Sequence, residues 1–323
     1  MKNKKLLMTV SAFMILFFHL WIYIFPKNNV EIFLKQICFI GVDIFFFVSA
    51  YSIGKKDKIN YKEFIKNRFT KIYIKFIVFA FIAFIYQKWQ ISRFFKVIVG
   101  YEFITRGGGS FLWFIPAIMI MYLLLPLYKK IDDKYKIMTS ILTVTVYLLM
   151  TVLVSLLGNY RSIIIFTNRI PIILIGYYFS KYNLIEKLKM KRCLYAFITT
   201  LLLIFGSVLA YKTLTSKFKL SIFPDIFYLT AIPLIIGLIL LLDKVPTNKI
   251  TDFLGSFTLE VYAIQMIFGF NIANDLYSRL NSIWLTNLMS ITIVLVLSYI
   301  INRIFKLVEN IINNLYTSNI LQT

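Results

Sequence analysis

Long apolar stretches, each close to the length of a membrane span, constrain the fold of this 323-residue chain more than any other feature. A transmembrane helix needs about 20 predominantly apolar residues to cross about 30 Å of hydrocarbon. Hydrophobic residues make up 59% of the sequence and charged residues only 15%, which excludes a soluble fold. We predict an all-α membrane protein with about ten spanning helices, at residues 6–25, 36–54, 69–87, 111–128, 137–157, 163–180, 193–211, 224–242, 253–272 and 284–303.

The connections between these stretches are short. None has the length of a separate soluble domain, so we expect a single transmembrane domain over residues 1–323. The net charge of +22 could suggest nucleic acid as a partner, but the basic residues are shared out among the connections rather than gathered in one tail or stripe. One alternate set of connections holds about 23 Lys and Arg and the other about 11, as the positive-inside rule describes. We therefore predict that the chain contacts membrane lipids and not nucleic acid. The same count of basic residues predicts that both termini face the cytoplasm.

Three ionisable side chains lie within the predicted spans. His19, the single histidine of the sequence, falls about 9 Å below the outer surface at 1.5 Å per residue, and Asp43 and Arg169 reach about the same depth. Charged groups are costly in a membrane and mark candidate functional sites. A neutral imidazole oriented by a carboxylate can act as a general base. The alternatives are a histidine held by neighbouring polar groups and a structural ion pair between Asp43 and Arg169.

Two further side chains fall near this level. Gln265 approaches from the cytoplasmic side and Trp113 lies somewhat shallower on the outer side. If the helices face one another, these groups form a polar substrate pocket with Arg169. By depth, Gln265, Arg169 and Trp113 are candidate donors to an oxyanion.

A basic cluster lies at the cytoplasmic start of the third predicted helix. Arg68, Lys71 and Lys75 are spaced three and four residues apart, which places them on one helical face. Such a cluster suits phosphate groups, and it equally suits the positive-inside rule and anionic lipid headgroups. Glu260, about 10 Å above the inner surface, could offset this charge or serve as a separate relay.

Four segments together with the lone histidine of an early helix resemble the acyltransferase 3 family, and they occur in the family's order over nearly the whole chain. They are GVDIFFFVSAYSI (41–53), NRFTKIY (67–73), SFLWFIPAIMIMYLLLPL (110–127) and LGSFTLEVYAIQ (254–265). The resemblance implies a multi-pass O-acyltransferase of the bacterial cytoplasmic membrane. It further implies cytoplasmic acetyl-CoA as the acyl donor, a hydroxyl of an extracytoplasmic cell-surface saccharide as the acceptor, and no metal.

The resemblance also assigns roles to individual residues. His19 matches the family's essential histidine, and Arg68 with Lys71 matches its R-x-x-R motif. The hypothesis that follows has Arg68, Lys71 and Lys75 holding the phosphates of acetyl-CoA while the thioester reaches His19. There His19 deprotonates the acceptor hydroxyl, and Asp43 or a neighbour orients the ring.

Two positions depart from the family pattern. Met8 stands where a basic residue is usual, with Lys4 and Lys5 about one turn earlier, and Gln265 stands where many members have a histidine. Either the basic role has moved, or the chain belongs to a divergent subgroup with an altered acceptor or weakened catalysis. Two alternatives from other classes stay open: a carrier or flippase for a lipid-linked saccharide, and a catalytically inactive partner in glycan assembly.

Overall fold

A computed structural model describes residues 3–23, 29–135, 137–157, 161–215 and 227–320. These residues are predominantly helical and contain no strand, which confirms the all-α prediction. A π-helical segment, Phe69–Tyr73, joins α4 to α5, and a 3₁₀ turn at Gly107–Gly109 precedes α8. In chain order the α-helices are α1 Lys4–Tyr23, α2 Asn29–Cys38, α3 Gly41–Gly54, α4 Tyr61–Arg68, α5 Ile74–Tyr86, α6 Ile91–Ile98, α7 Tyr101–Arg106, α8 Phe114–Tyr135, α9 Ile137–Leu157, α10 Arg161–Thr167, α11 Ile170–Lys181, α12 Leu184–Lys189, α13 Arg192–Thr215, α14 Phe227–Thr230, α15 Ile232–Lys244, α16 Lys249–Leu254, α17 Thr258–Leu280 and α18 Ile283–Ile320.

Four helical stretches among the described residues are long and apolar enough to cross a membrane: Tyr61–Tyr86, Phe114–Tyr135, Arg192–Thr213 and Ile283–Ile311. Large apolar side chains on several helices point outward, as on surfaces that face lipid. The chain is therefore a helical membrane protein. Helix is present in each of the ten predicted stretches, although residues 24, 25 and 224–226 of those stretches lie outside the described residues.

Several predicted spans are divided into two helices. A proline in the first turn begins a new helix: Pro171 follows the break between α10 and α11, and Pro233 follows the break between α14 and α15. The break before α11 leaves Arg169 as the N-cap residue of that helix, with its side chain fully buried.

Glycine allows α3 and α11 to pack very closely. A Cβ atom at Gly176 would lie 2.6 Å from the backbone oxygen of Phe47, and one at Gly54 would lie 2.6 Å from the backbone oxygen of Tyr177. Any larger residue at either position must push the two helices apart. Because α3 carries Asp43 and α11 begins next to Arg169, this contact sets the distance between two of the predicted site residues.

We expect Gly176→Ala to destabilise the protein by about 1–3 kcal/mol, the usual cost of overpacking a tight contact. Thermal unfolding in detergent measures this effect. Gly109→Ala is the control, since a Cβ atom there would meet nothing within 4 Å. Equal melting temperatures for the two variants would contradict the close packing of α3 on α11.

Several connections predicted on the cytoplasmic side meet at one end of the bundle. The side chain of Asn3 donates to the backbone oxygen of Asp243 (3.2 Å), and Lys189 pairs with the Asp243 carboxylate (2.5 Å). Lys181, the last residue of α11, pairs with Asp132 in the last turn of α8 (2.5 Å). We call this end the basic end of the bundle.

Candidate active site

His19 lies between α1 and α17. Its imidazole is half-buried, and Nδ1 lies 2.8 Å from the backbone oxygen of Ile15 and 2.7 Å from Nε2 of Gln265. The ring centroid of Tyr262, one turn before Gln265 on α17, lies 6.4 Å from that of His19. The imidazole therefore faces the neighbouring helix within the bundle.

The contacts of Nδ1 determine which ring nitrogen holds the proton. A backbone carbonyl can only accept a hydrogen bond, whereas a side-chain amide can present either its oxygen or its nitrogen. The contact with Ile15 therefore requires a proton on Nδ1, and the amide of Gln265 must then turn its oxygen toward the ring. In this neutral tautomer Nε2 has a free lone pair, as a general base requires.

Asp43 and Arg169 form an ion pair in the interior, with 3.4 Å between the Arg169 Nε and the Asp43 Oδ1. The two side chains are 2% and 0% exposed. The guanidinium also lies over the rings of Phe39 and Trp113, 5.1 and 5.0 Å from their centroids, and it donates to the backbone oxygen of Ile165. Such multiple contacts are typical of a buried arginine that holds helices together.

The structure thus divides the residues predicted at one depth into two adjacent groups. His19 contacts Gln265, whereas Arg169 contacts both Asp43 and Trp113. Aromatic side chains connect the groups, because Phe39 lies against Phe18, the neighbour of His19 in sequence (4.8 Å between ring centroids), and Phe114 lies against Tyr262 (6.1 Å). Asp43 faces Arg169, while the contacts described for the imidazole nitrogen come from Ile15 and Gln265.

A cavity of about 360 Å³ extends from the basic end into the bundle. Arg68, Lys71 and Lys75 line it at one end, and its other walls are mostly apolar. On α1 it is lined by Met8, Ala12 and Ile15, a helical face on which His19 is the next member at a spacing of four residues. The cavity, which we call the donor cavity, therefore runs toward the histidine.

A second, open cleft meets the donor cavity at its basic mouth. Arg68 and Lys71 line both spaces, and the cleft adds Lys56 and Lys58 from the connection before α4. The Arg68 guanidinium lies over the rings of Tyr122 (4.8 Å) and Phe64 (5.3 Å), which fix its direction. Four cations thus surround the entrance to an apolar cavity, an arrangement that suits a ligand with phosphates at one end and an apolar arm at the other.

Lys75 differs from the other cations of the cluster because its ammonium is paired. It lies 2.5 Å from the Glu260 carboxylate, which is buried and also accepts from Asn302 (3.1 Å). Glu260 therefore offsets the charge of Lys75, one of the two roles considered for it. Arg68 and Lys71 are the members of the predicted cluster that best suit a phosphate.

Lys4 lies one turn before Met8, the position at which the family usually has a basic residue. Met8 lines the donor cavity, and the Lys4 ammonium, about one turn earlier, donates to the Ser52 hydroxyl (2.9 Å). Burial and the nearby cations Lys55 and Arg68 lower the pKa of Lys4. A basic residue of α1 therefore does lie near the mouth of the cavity, one turn before the usual position.

Sequence reasoning missed three residues of this site. Lys56 and Lys58 were read as topology signals, although they extend the basic face of Arg68. Tyr262 was overlooked, although its spacing of three residues from Gln265 places both on one face of α17.

The fold and the site together define a helical membrane protein with a basic entrance, a mostly apolar cavity and a half-buried histidine beyond its inner end. The family model described as "Acyltransferase domain" matches residues 6–303, nearly the whole chain. The chain belongs to this family, acyltransferase 3, and is a membrane acyltransferase. No curated protein and no solved structure matches it.

Proposed function

We propose that the protein is an O-acetyltransferase of the bacterial cytoplasmic membrane. It transfers an acetyl group from cytoplasmic acetyl-CoA to a hydroxyl of an extracytoplasmic cell-surface saccharide. In this proposal about ten helices span the membrane, both termini face the cytoplasm, and the basic end of the bundle is the cytoplasmic end.

The donor cavity is the observation that carries this proposal. It begins between Arg68 and Lys71 and reaches Ile15, whose backbone oxygen contacts the His19 ring. From Met8 to His19 the rise along α1 is about 16 Å at 1.5 Å per residue. Coenzyme A has phosphates at one end and a thiol at the end of a long, thin arm, so its shape and charge match the cavity. A carrier for a whole saccharide needs no such basic mouth on a narrow apolar cavity.

The reaction requires one proton acceptor. His19 Nε2 takes the proton of the acceptor hydroxyl as its oxygen attacks the acetyl carbonyl carbon. A carbon–oxygen bond forms, and collapse of the tetrahedral intermediate breaks the carbon–sulfur bond. The imidazolium then returns the proton to the thiolate, which leaves as coenzyme A. Gln265 and Ile15 orient the ring throughout, a role that the sequence analysis gave to Asp43 or a neighbour.

A transfer assay tests this proposal. Purified protein receives acetyl-CoA labelled in the acetyl group, together with surface glycan from a strain that lacks the gene. We expect label in base-labile esters of the glycan and release of free coenzyme A. Label that stays on acetyl-CoA while the protein moves lipid-linked saccharide between leaflets would instead identify a carrier.

We expect Arg68→Gln to raise the KM for acetyl-CoA about 10- to 100-fold, with a much smaller change in kcat. The reason is that a charge-assisted hydrogen bond to phosphate contributes about 1.5–3 kcal/mol. Steady-state kinetics with varied acetyl-CoA measures the change. Lys62→Gln removes an exposed charge of α4 that is not among the residues lining the cavity or the cleft. A KM in Arg68→Gln equal to that of this control would exclude Arg68 as a phosphate ligand.

A further inference from the structure

Tyr262 is a buried tyrosine that lines the donor cavity and lies beside His19. Its side chain lines the cavity, the residue is only 6% exposed, and the ring centroid lies 6.4 Å from that of His19. Among the described residues the backbone N–H of Phe114 lies near the hydroxyl oxygen as a donor, and no group accepts the proton of the hydroxyl. Burial of a hydroxyl whose proton has no acceptor is unfavourable, so such a group in a cavity is a candidate donor to a ligand.

Other residues considered as oxyanion donors are directed elsewhere. Gln265 contacts the His19 ring, Arg169 contacts Asp43 and the backbone of α10, and Trp113 lies beneath the Arg169 guanidinium. None of the three is among the residues that line the donor cavity.

The orientation of the Tyr262 ring is fixed from one side. The ring of Phe114, at the start of α8, meets it edge to face at 88°, with 6.1 Å between centroids. Phe114 and Tyr262 therefore form the inner boundary of the donor cavity on the side of α17. A thioester that reaches this boundary arrives at the Tyr262 ring, whose centroid lies 6.4 Å from that of the imidazole.

We propose that Tyr262 is a catalytic residue whose hydroxyl donates a hydrogen bond to the carbonyl oxygen of the acetyl thioester. This inference rests on the proposed acetyl transfer. Negative charge gathers on that oxygen as the acceptor oxygen bonds to the carbonyl carbon, and the hydrogen bond strengthens as it does so. The tyrosine keeps its proton, and His19 alone carries the proton from the acceptor to the departing thiolate.

The Tyr262→Phe variant tests this role because it removes only the hydroxyl. We expect kcat to fall about 100- to 1000-fold, the effect of losing one oxyanion donor, while the KM for acetyl-CoA changes less than threefold. Thermal unfolding in detergent should match that of wild-type protein. Tyr51→Phe is the control: it removes the hydroxyl of another buried tyrosine, on α3, that is not among the cavity residues, and we expect nearly wild-type kcat.

The outcomes separate this inference from the proposed function. Wild-type protein without acetyl transfer would refute the function itself. Active wild-type protein with an unchanged kcat in Tyr262→Phe would overturn the role of Tyr262 and leave the function intact. A raised KM with unchanged kcat would make Tyr262 a binding residue for the donor, which also overturns the proposal.

Discussion

Replacing His19 with alanine should abolish detectable acetyl transfer, with a loss of about 100- to 10,000-fold in kcat and no loss of inserted protein. General base catalysis alone contributes about 100- to 10,000-fold, and the chain contains no second histidine to take over. The measurement is the labelled-acetyl assay on purified variants, normalised to the amount of folded protein.

His19→Asn provides a stricter version of this experiment. An asparagine amide can still donate to the Ile15 backbone oxygen but cannot accept a proton at neutral pH. We expect this variant to retain its melting temperature and binding of acetyl-CoA while being inactive. Acetyl transfer at a wild-type rate in either variant would exclude His19 as the base.

Replacing Asp43 with alanine should be the most destabilising single change in the site, at about 3–5 kcal/mol. It leaves the fully buried Arg169 guanidinium without its carboxylate, and an uncompensated buried charge has a cost of this size. Chemical unfolding in detergent measures the loss. The double variant Asp43→Leu with Arg169→Met removes both charges and should recover much of the stability.

This experiment also distinguishes the two roles considered for Asp43. If the carboxylate only pairs with Arg169, the double variant recovers activity along with stability, because the His19 ring is oriented by Ile15 and Gln265. A double variant that is stable but inactive would show that Asp43 takes part in catalysis.

The sequence predicted a common level for these polar residues and offered the Asp43–Arg169 ion pair as one alternative, but it could not predict which side chain contacts the His19 ring. His19 with Gln265, and Asp43 with Arg169, were expected at one level, and each pair is in contact. Depth follows from counting residues along a helix. Which side chains meet depends on how each helix is rotated and on its neighbours, and this is why both Asp43 and its neighbours were considered as the group that orients the imidazole.

Two further features of the site, the π-helical segment in the basic cluster and the role of Tyr262, were not predicted from the sequence. The basic cluster was treated as part of a regular helix, whereas a π-helical segment lies between Arg68 and Lys75. Such segments are frequent at functional sites, yet FTKIY has no proline or glycine to reveal one. Tyr262 was hidden for another reason: a tyrosine in an apolar helix is usually a packing residue, and only the cavity beside it indicates chemistry.

Inside-out membrane vesicles offer the most direct test of the central claim that a donor held at the basic end reaches His19 from the cytoplasmic side. Acetyl-CoA labelled in the acetyl group is added outside vesicles that hold surface glycan in their lumen. We predict labelled ester in the lumenal glycan with wild-type protein and none with His19→Ala. Equal labelling with both proteins, or labelling only when acetyl-CoA is supplied in the lumen, would contradict the account.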